Sequence, residues 1–147
     1  FTQTTLDLYQ RVVKQGYEDF AGIAIQAYLY RSENDVKKLI KDGTRIRLCK
    51  GAYKESRTIA FPKKGDVDLN FDKLSDLLLR KSQNLDSRIS SDGRIPPIPA
   101  IATHDQTRVN HTLAFAKKIN LGQDNLEFQM LYGIREDLQN ELVEKGY

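Results

Sequence analysis

Three cations lie within six residues in the segment RIRLCKGAY, which runs from Arg45 to Tyr53. The first five residues have the alternating pattern of a β-strand, and Lys50 then precedes two small residues. Side chains alternate along a strand, so Arg45, Arg47 and Cys49 share one face, and the apolar residues between them take the other. The pattern therefore predicts fixed positive charge on one face of a strand.

An arginine on such a face has two interpretations. The first interpretation is structural: the arginine forms an ion pair with an inward-facing acid such as Glu127. For an arginine in any given strand we favour this interpretation slightly. A fixed cation that faces an anionic ligand is functional. Gly51 and Ala52 follow the strand and let the backbone approach a planar or phosphorylated ligand closely, which shifts the balance toward function without settling it.

Lys50 and His104 are the other candidates for chemistry. Lys50 fits a solvated rim charge, a phosphate anchor or a desolvated Schiff-base nucleophile, and physical grounds alone favour the rim charge. A strand-end histidine such as His104 is more often hydrogen-bonded than a ligand, and two histidines in the chain argue against a histidine-rich metal site. Tyr53 either covers the loop or stacks on a flat ligand, whereas Tyr28 is expected in the core.

Four predicted strands, each followed by a helical pattern, position these residues. The strands are expected at 21–29, 45–49, 99–104 and 126–132, and strands alternating with helices imply a parallel sheet with right-handed crossovers. No G-x-G-x-x-G or P-loop follows any strand, which argues against an open dinucleotide-binding sheet. The predicted fold class is therefore α/β.

Local patterns indicate the helices between these strands. Ser32 and Asp35 form a possible capping box at the start of the helix after the first strand. Phe71, Leu74 and Leu78 recur at helical spacing and mark a later helix.

Two segments have no such period. The segment 54–68 contains a proline and a glycine, so we expect a long connection there after the second strand. The segment 90–99 is rich in turn residues.

Polar residues gather at or just past the ends of the predicted strands. These residues are Gln26, Arg47 with Lys50, Thr103 with His104, and Gln129. Barrel enzymes place their chemistry at that rim. Since a full barrel takes about 250 residues, we predict part of a (βα)8 TIM-type barrel with roughly four βα units.

The composition of the chain argues against several other classes of protein. The chain has 147 residues, of which 39% are hydrophobic and 29% charged, and its net charge of +3 is spread without the basic block that binds nucleic acid. One cysteine excludes an intrachain disulfide, and no apolar stretch reaches the roughly 20 residues of a membrane span. The first residue is Phe1 and the only methionine is Met130, so we expect a piece of a longer protein.

Four short motifs stand at the ends of successive strands, and they are QAYL at 26–29, RIRLCKGAY at 45–53, ATHD at 102–105 and FQMLYGIRE at 128–136. In this order they resemble the proline dehydrogenase barrel, a flavoenzyme family that begins proline catabolism. Each is weak alone, and the K-G-A-Y block is the most specific. The resemblance extends from about Gly22 to Gly146 and implies strands four to seven of the family fold, so 1–147 is expected to be one partial barrel domain.

The resemblance implies bound FAD. Gln26 would hydrogen-bond the flavin ring, and Arg47, the catalytic residue, would lie beside its N5 edge. With Lys50, Arg47 would stabilise the negative charge of reduced flavin. The other implicated residues are Lys50, Gly51, Ala52, Thr103 and His104 along the cofactor, and Tyr53 and Leu131 as walls of the substrate pocket.

The implied reaction is hydride transfer from C5 of L-proline to flavin N5, which gives 1-pyrroline-5-carboxylate, with electrons passed to a membrane quinone. The family implies a cytoplasmic enzyme or one peripheral to the inner membrane, and the compact loops favour a bacterial over a mitochondrial origin. Two alternatives remain open: a lysine-dependent barrel lyase that uses Lys50, and an inactive half-barrel that self-associates through exposed strand edges.

Two departures from the family pattern limit what this chain does alone. Many members carry an aromatic residue that stacks on the adenine where this chain has Lys54. The paired arginines that clamp the proline carboxylate, and an early-strand lysine and aspartate, lie outside the 147 residues. We therefore expect the chain by itself to bind proline poorly.

Overall fold

The computed structural model describes residues 1–83 and 98–147, which form one parallel sheet flanked by helices. The strands are β1 (Gly22–Gln26), β2 (Arg45–Cys49), β3 (Ala100–Ala102) and β4 (Glu127–Gln129), and they lie side by side in chain order. The helices are α1 (Thr2–Lys14), α2 (Ser32–Lys41), α3 (Lys64–Ser82), α4 (Gln106–Lys118) and α5 (Glu136–Glu144), with 3-10 turns at Glu18–Phe20 and Gln123–Asn125.

The two faces of the sheet differ in composition because the side chains alternate. Ile46 and Leu48 of β2 are almost fully buried, and they share one face with Ile25 of β1 and Ile101 of β3. This outer face packs against α1 to α4 in one core cluster, and Phe128 of β4 extends the apolar contact to α5. The inner face carries the polar and small residues, so the helices lie on one side of the sheet.

Strand order decides between the two candidate architectures. A doubly wound sheet reverses its strand order and has helices on both faces. Here the order β1-β2-β3-β4 does not reverse within the described residues, and the helices cover the outer face alone. This is an arc of a (βα)8-type barrel, and the predicted fold class is confirmed.

Helix α3 begins earlier than predicted. The sequence suggested a long connection at 54–68, but the helix starts at Lys64, directly after the extended residue Lys63. Its buried stripe of Phe71, Leu74 and Leu78 was predicted and lies against the sheet. The earlier start places Asp68 inside the helix, where its side chain has a fixed direction.

The start of α2 also differs from expectation. Ser32 and Asp35 resemble a capping box, yet the N-cap residue is Arg31 and no side chain caps the helix. The Ser32 hydroxyl instead donates to the carbonyl oxygens of Gln26 and Leu29, at 2.5 and 2.7 Å. Asp35 accepts a hydrogen bond from Nε of Arg31 at 2.6 Å. The capping-box prediction is wrong because both side chains are engaged by the turn after β1.

The connection from β2 to α3 packs back on the turn after β1. Ala60 forms an antiparallel bridge with Leu29, and the Phe61 amide donates to the Tyr28 carbonyl at 2.8 Å. The rings of Tyr30 and Phe61 meet edge to face with centroids 4.7 Å apart. The connection from β2 to α3 is therefore held in place at the rim by contacts with the turn after β1.

The strands are shorter than predicted at β1, β3 and β4, because the chain turns as soon as it passes the sheet edge. The turn-rich segment predicted at 90–99 lies largely outside the described residues. Within 1–83 and 98–147, no helix has the length and apolarity that crossing a bilayer requires.

Candidate active site

The inner face of the sheet forms the floor of an open groove of about 520 Å³. Strand register places Gln26, Cys49, Ala102 and Gln129 in one row across the carboxyl ends of the four strands. Small side chains in this row leave room above the sheet, and the two amides offer both donors and acceptors. The volume lies in the usual range for sites that take a small molecule or cofactor.

Every residue that the sequence implicated lines this groove. These residues are Gln26, Arg47, Lys50, Gly51, Ala52, Tyr53, Thr103, His104 and Leu131. They come from the ends of all four strands and from the segments that follow, as the parallel sheet requires. The structure brings them together, and their individual roles stay predictions.

The arginines of β2 have different partners. Nη2 of Arg45 lies 2.7 Å from Glu127, so the structural ion pair considered from the sequence exists at Arg45. Nε of Arg47 donates to Oε1 of Gln129 at 2.6 Å, and the Gln129 amide in turn donates to Glu127. The side chain of Arg47 is thus oriented by a neutral amide, and no carboxylate of the described residues pairs with it.

Lys50 is bonded to two carboxylates. Its ammonium donates to Oδ2 of Asp105 at 2.6 Å and also to Asp68 of α3. Nζ of Lys64 reaches the same Asp68 at 2.5 Å. An amine attacks a carbonyl only through a free lone pair, so a lysine engaged by two carboxylates does not favour the lyase alternative.

The acids around Lys50 are held in their charged form. Burial alone would raise the pKa of Asp105, but the hydrogen bond and charge of Lys50 and the amides of Thr107 and Arg108 outweigh it and lower that pKa to about 2. For Asp68 burial likewise opposes ionisation, and the bonds from Lys50 and Lys64 overcome it, so its pKa is also lowered. The Lys50 end of the groove is therefore an ion-pair cluster.

Gly51 is required where β2 ends. Its φ is +117°, and a Cβ at this position would lie 2.3 Å from Cδ1 of Tyr28. The Tyr28 amide also donates to the Lys50 carbonyl at 2.9 Å, and the Tyr28 side chain is buried as predicted. The close approach predicted for this glycine is thus made by a tyrosine ring of the protein itself. Tyr53 and Leu131 stand exposed at the mouth of the groove.

His104 is hydrogen-bonded, as expected for a strand-end histidine. The Leu131 amide donates to its Nε2 at 2.8 Å, so this nitrogen is the acceptor and the neutral ring carries its proton on Nδ1. Arg135, in the left-handed region with φ of 56°, donates to the His104 carbonyl at 3.2 Å and is held by Asp137. These bonds fix the segment after β4 against the end of β3.

Three residues of this arrangement were not identified from the sequence. Asp68, Asp105 and Arg135 each bond to a segment that lines the groove. The signal for Asp105 was present, because an aspartate directly before a helical pattern is a helix N-cap, and its Oδ1 accepts from the Thr107 amide at 2.9 Å. The partners of Asp68 and Arg135 depend on the tertiary fold.

A one-sided parallel sheet with polar groups at its carboxyl ends defines a barrel-type enzyme domain, whose chemistry lies at that end. Comparison with known proteins then gives the family. A family model described as proline dehydrogenase matches residues 1–147. The chain belongs to the proline dehydrogenase family.

Similar proteins support this membership. Proline dehydrogenase 2 of Bacillus subtilis strain 168 is 42% identical over 145 residues, and proline dehydrogenase of Deinococcus radiodurans is 36% identical over 143 residues. These matches cover 99% and 97% of this chain, but 43% and 42% of the relatives. The chain therefore spans less than half the length of these relatives.

A solved structure shows the same fold. Proline utilization A from Bdellovibrio bacteriovorus, inactivated by N-propargylglycine, superimposes with a TM-score of 0.77 at 29% sequence identity. The similarity covers 95% of this chain and 15% of that one. The four βα units thus correspond to part of a much larger protein in that case.

Proposed function

We propose that the protein containing this chain is an FAD-dependent proline dehydrogenase, which oxidises L-proline to 1-pyrroline-5-carboxylate, and that residues 1–147 are part of its barrel domain. The observation that carries the proposal is Arg47. It projects from the centre of the sheet into the groove, an amide fixes it at 2.6 Å, and no described carboxylate pairs with it. A positive charge held in this way suits a reaction that builds up negative charge on a bound group.

The groove residues fit a flavin. The floor at Ala24, Cys49 and Ala102 has small side chains, so a flat ring system can lie against it. Gln26 and Gln129 stand on opposite sides and can each donate and accept hydrogen bonds. Bound FAD would supply the hydride acceptor. No large side chain of the described groove blocks its floor.

The residues of the chain have distinct roles in this proposal. Arg47 stabilises developing negative charge, and Gln26 orients the ring through its amide. Lys50, Gly51, Ala52, Thr103 and His104 line the cofactor. Tyr53 and Leu131 form walls of the substrate pocket at the open side of the groove. The protein thereby contributes orientation and electrostatics to the oxidation.

The first test is a visible spectrum of the protein expressed from its complete reading frame. We expect bound flavin whose absorption bleaches when L-proline is added without oxygen, while D-proline leaves it unchanged. 1-Pyrroline-5-carboxylate, trapped with o-aminobenzaldehyde, should appear in step with the bleaching. Protein without flavin, or flavin that L-proline does not reduce, would contradict the proposal.

The same measurement on the 147-residue chain asks what this part contributes. After FAD addition and desalting, any flavin that the chain retains should not bleach with L-proline, because the clamp of the family for the proline carboxylate is outside the chain. Borohydride treatment in the presence of a carbonyl substrate should leave the mass of Lys50 unchanged. A borohydride-dependent adduct on Lys50 would instead support the lyase alternative.

We also propose a membrane quinone as electron acceptor and a cytoplasmic location peripheral to the inner membrane. Support comes from the family resemblance and from the bacterial source of the relatives. Turnover of L-proline with a soluble quinone should exceed turnover with oxygen by a wide margin. Equal rates would remove the quinone from the proposal.

A further inference from the structure

Lys50 is held from two sides at the end of β2. Asp105 is the N-cap of α4, and Asp68 lies one turn into α3. The side chains of all three residues are no more than a quarter exposed. The ammonium is therefore fixed by two helices that pack on each other behind the sheet.

The carboxylate of Asp105 is itself fixed. Its Oδ1 accepts from the Thr107 amide at 2.9 Å and so caps α4, while its Oδ2 accepts from Lys50 at 2.6 Å. The Asp105 amide in turn donates to the Thr103 hydroxyl at 3.1 Å. One oxygen of Asp105 thus caps the helix and the other binds the lysine, so the position of the first turn of α4 determines where Nζ of Lys50 lies.

Charge is also balanced at this end of the groove. Nζ of Lys64 lies 2.5 Å from Asp68 and 3.7 Å from Asp105. Arg108 lies 3.5 Å from the same Asp68 and 2.9 Å from Asp72, which gives three cations and three carboxylates in one cluster. Arg47, by contrast, has an amide partner. Lys50 and Arg47 come from the same sequence segment, but carboxylates offset the charge of Lys50, whereas the charge of Arg47 is bonded only to a neutral amide among the described residues.

We propose that Asp68 and Asp105 are positioning residues, which hold the Lys50 ammonium at the groove and offset its charge. An ammonium has three donors, and with two engaged the third serves the bound ligand as a directed hydrogen bond. Net positive charge in the groove then comes from Arg47. The consequence for the flavin rests on the function proposed above, whereas the hold on Lys50 does not.

The hold on Lys50 is tested by acetylating the protein with an N-hydroxysuccinimide ester and measuring each lysine by mass spectrometry. In Asp105→Asn, Lys50 should react roughly tenfold faster than in the unchanged protein, because one charge-assisted hydrogen bond is lost. Asparagine remains a good N-cap, so α4 is preserved. Asp68→Asn makes the same test from α3 without touching that cap.

Asp76→Asn is the matched control. Asp76 also lies on α3, and its Oδ1 is hydrogen-bonded to Nε2 of His111 at 2.9 Å, but it does not contact Lys50. Its replacement should leave the acetylation of Lys50 unchanged, and Lys37 on α2 gives an internal reference in every sample. Equal Lys50 rates in Asp105→Asn, Asp68→Asn and the unchanged protein would overturn the proposal.

The charge offset is tested by the flavin midpoint potential of the complete protein. Asp105→Asn should make it less negative by about 30 mV, a tenfold change in the relative affinity for reduced and oxidised flavin. Lys50→Gln should shift the potential the opposite way, to more negative values, because it removes the cation and leaves the carboxylates that offset it. An unchanged potential in Asp105→Asn, or a less negative one in Lys50→Gln, would overturn the offset.

The two tests separate this inference from the proposed function. If the complete protein binds no flavin, the proposed function fails, and acetylation still decides whether the carboxylates hold Lys50. If flavin binds and L-proline reduces it, but the aspartate variants behave like Asp76→Asn, the proposed function stands and the positioning role is wrong.

Discussion

The two faces of the sheet are made by the same four strands, yet they follow opposite rules. On the outer face, Ile46 and Leu48 are 1% and 0% exposed and pack against helices. On the inner face, Arg47 lies between them in sequence and is exposed in the groove. The outer face therefore contributes most of the stability, and the inner face is free to carry chemistry.

The difference extends to how each face tolerates change. Outer residues touch many neighbours at close-packed density, so a deleted methylene leaves a cavity. Inner residues that line the groove, such as Arg47, border open space, so removal of a group there leaves room that solvent fills. Substitutions on adjacent positions of β2 should therefore separate folding from function.

The largest effect on folding is expected at Leu48→Ala. The side chain is fully buried, so the variant should lose about 2 to 5 kcal/mol of unfolding free energy. Ala24→Ser, on the exposed inner face of β1, should change it by less than about 0.5 kcal/mol. Urea denaturation of both variants measures the difference. Similar losses at the two positions would contradict the division between the faces.

Which residues are buried on the outer face could be predicted from the sequence, but which charges pair on the inner face could not. Alternation along β2 and the helical stripe of Phe71 and Leu74 are local patterns that record burial directly. Strand register aligns Arg47 with Ala100 and Ala100 with Glu127. Glu127 nevertheless pairs with Arg45, two residues nearer the start of β2, so the pairing depends on side-chain geometry in the folded sheet. Both arginines looked alike in the sequence.

The environment of Lys50 was beyond prediction for the same reason. Its partners Asp68 and Asp105 are 18 and 55 residues away along the chain, and they meet it only because α3 and α4 pack together. The capping box at Ser32 failed because a local pattern lost to tertiary contacts of the preceding turn. Sequence motifs located the groove, and the fold set its charges.

The largest effect on chemistry is expected at Arg47→Met. In the complete protein it should slow flavin reduction by L-proline by about 100-fold, roughly 2.7 kcal/mol, and make the flavin potential more negative. Its unfolding free energy should stay within about 0.5 kcal/mol of the parent. Stopped-flow reduction and redox titration give the two values. An unchanged potential would remove Arg47 from its proposed role.

Arg45→Met is the matched control for this prediction. Arg45 lies on the same face of the same strand, and its charge is paired with Glu127. We expect a loss of about 1 to 3 kcal/mol in unfolding free energy, since a partly buried carboxylate is left behind, and little change in potential. If Arg45→Met shifted the potential as much as Arg47→Met, paired and unpaired charges could not be distinguished on this face.

Gly51→Ala tests the rim where the two faces meet. The new Cβ would strike Tyr28 and occupy a φ of +117°, so we expect a loss of about 1 to 3 kcal/mol. Gly65→Ala is the control, because its Cβ meets nothing within 4 Å and it lies in the first turn of α3. Thermal unfolding should show the first variant less stable and the second unchanged or slightly more stable. Equal melting temperatures would contradict the contact with Tyr28.

The smallest effect is expected at Asp105, and it depends on pH. Its pKa is lowered to about 2 by Lys50 and two amides, so its contribution to stability is complete above the unfolded pKa of about 3.9 and is lost as the pH falls through about 2. Asp105→Asn should cost about 1 to 2 kcal/mol at about pH 6 and almost nothing near pH 2, as measured by urea denaturation at each pH.

Asp7→Asn is the control, because it removes an exposed α1 carboxylate that accepts a hydrogen bond from the neutral amide of Gln3. Its free energy of unfolding should stay within about 0.5 kcal/mol of that of the parent protein. Asparagine at position 105 keeps the helix cap. A difference in unfolding free energy that disappears at low pH is therefore due to the lost charge. If the difference in unfolding free energy between Asp105→Asn and the parent persisted near pH 2, the effect of Asp105 would come from the conformation of the first turn of α4 and not from its charge. The electrostatic contrast between Lys50 and Arg47 would then lose its support.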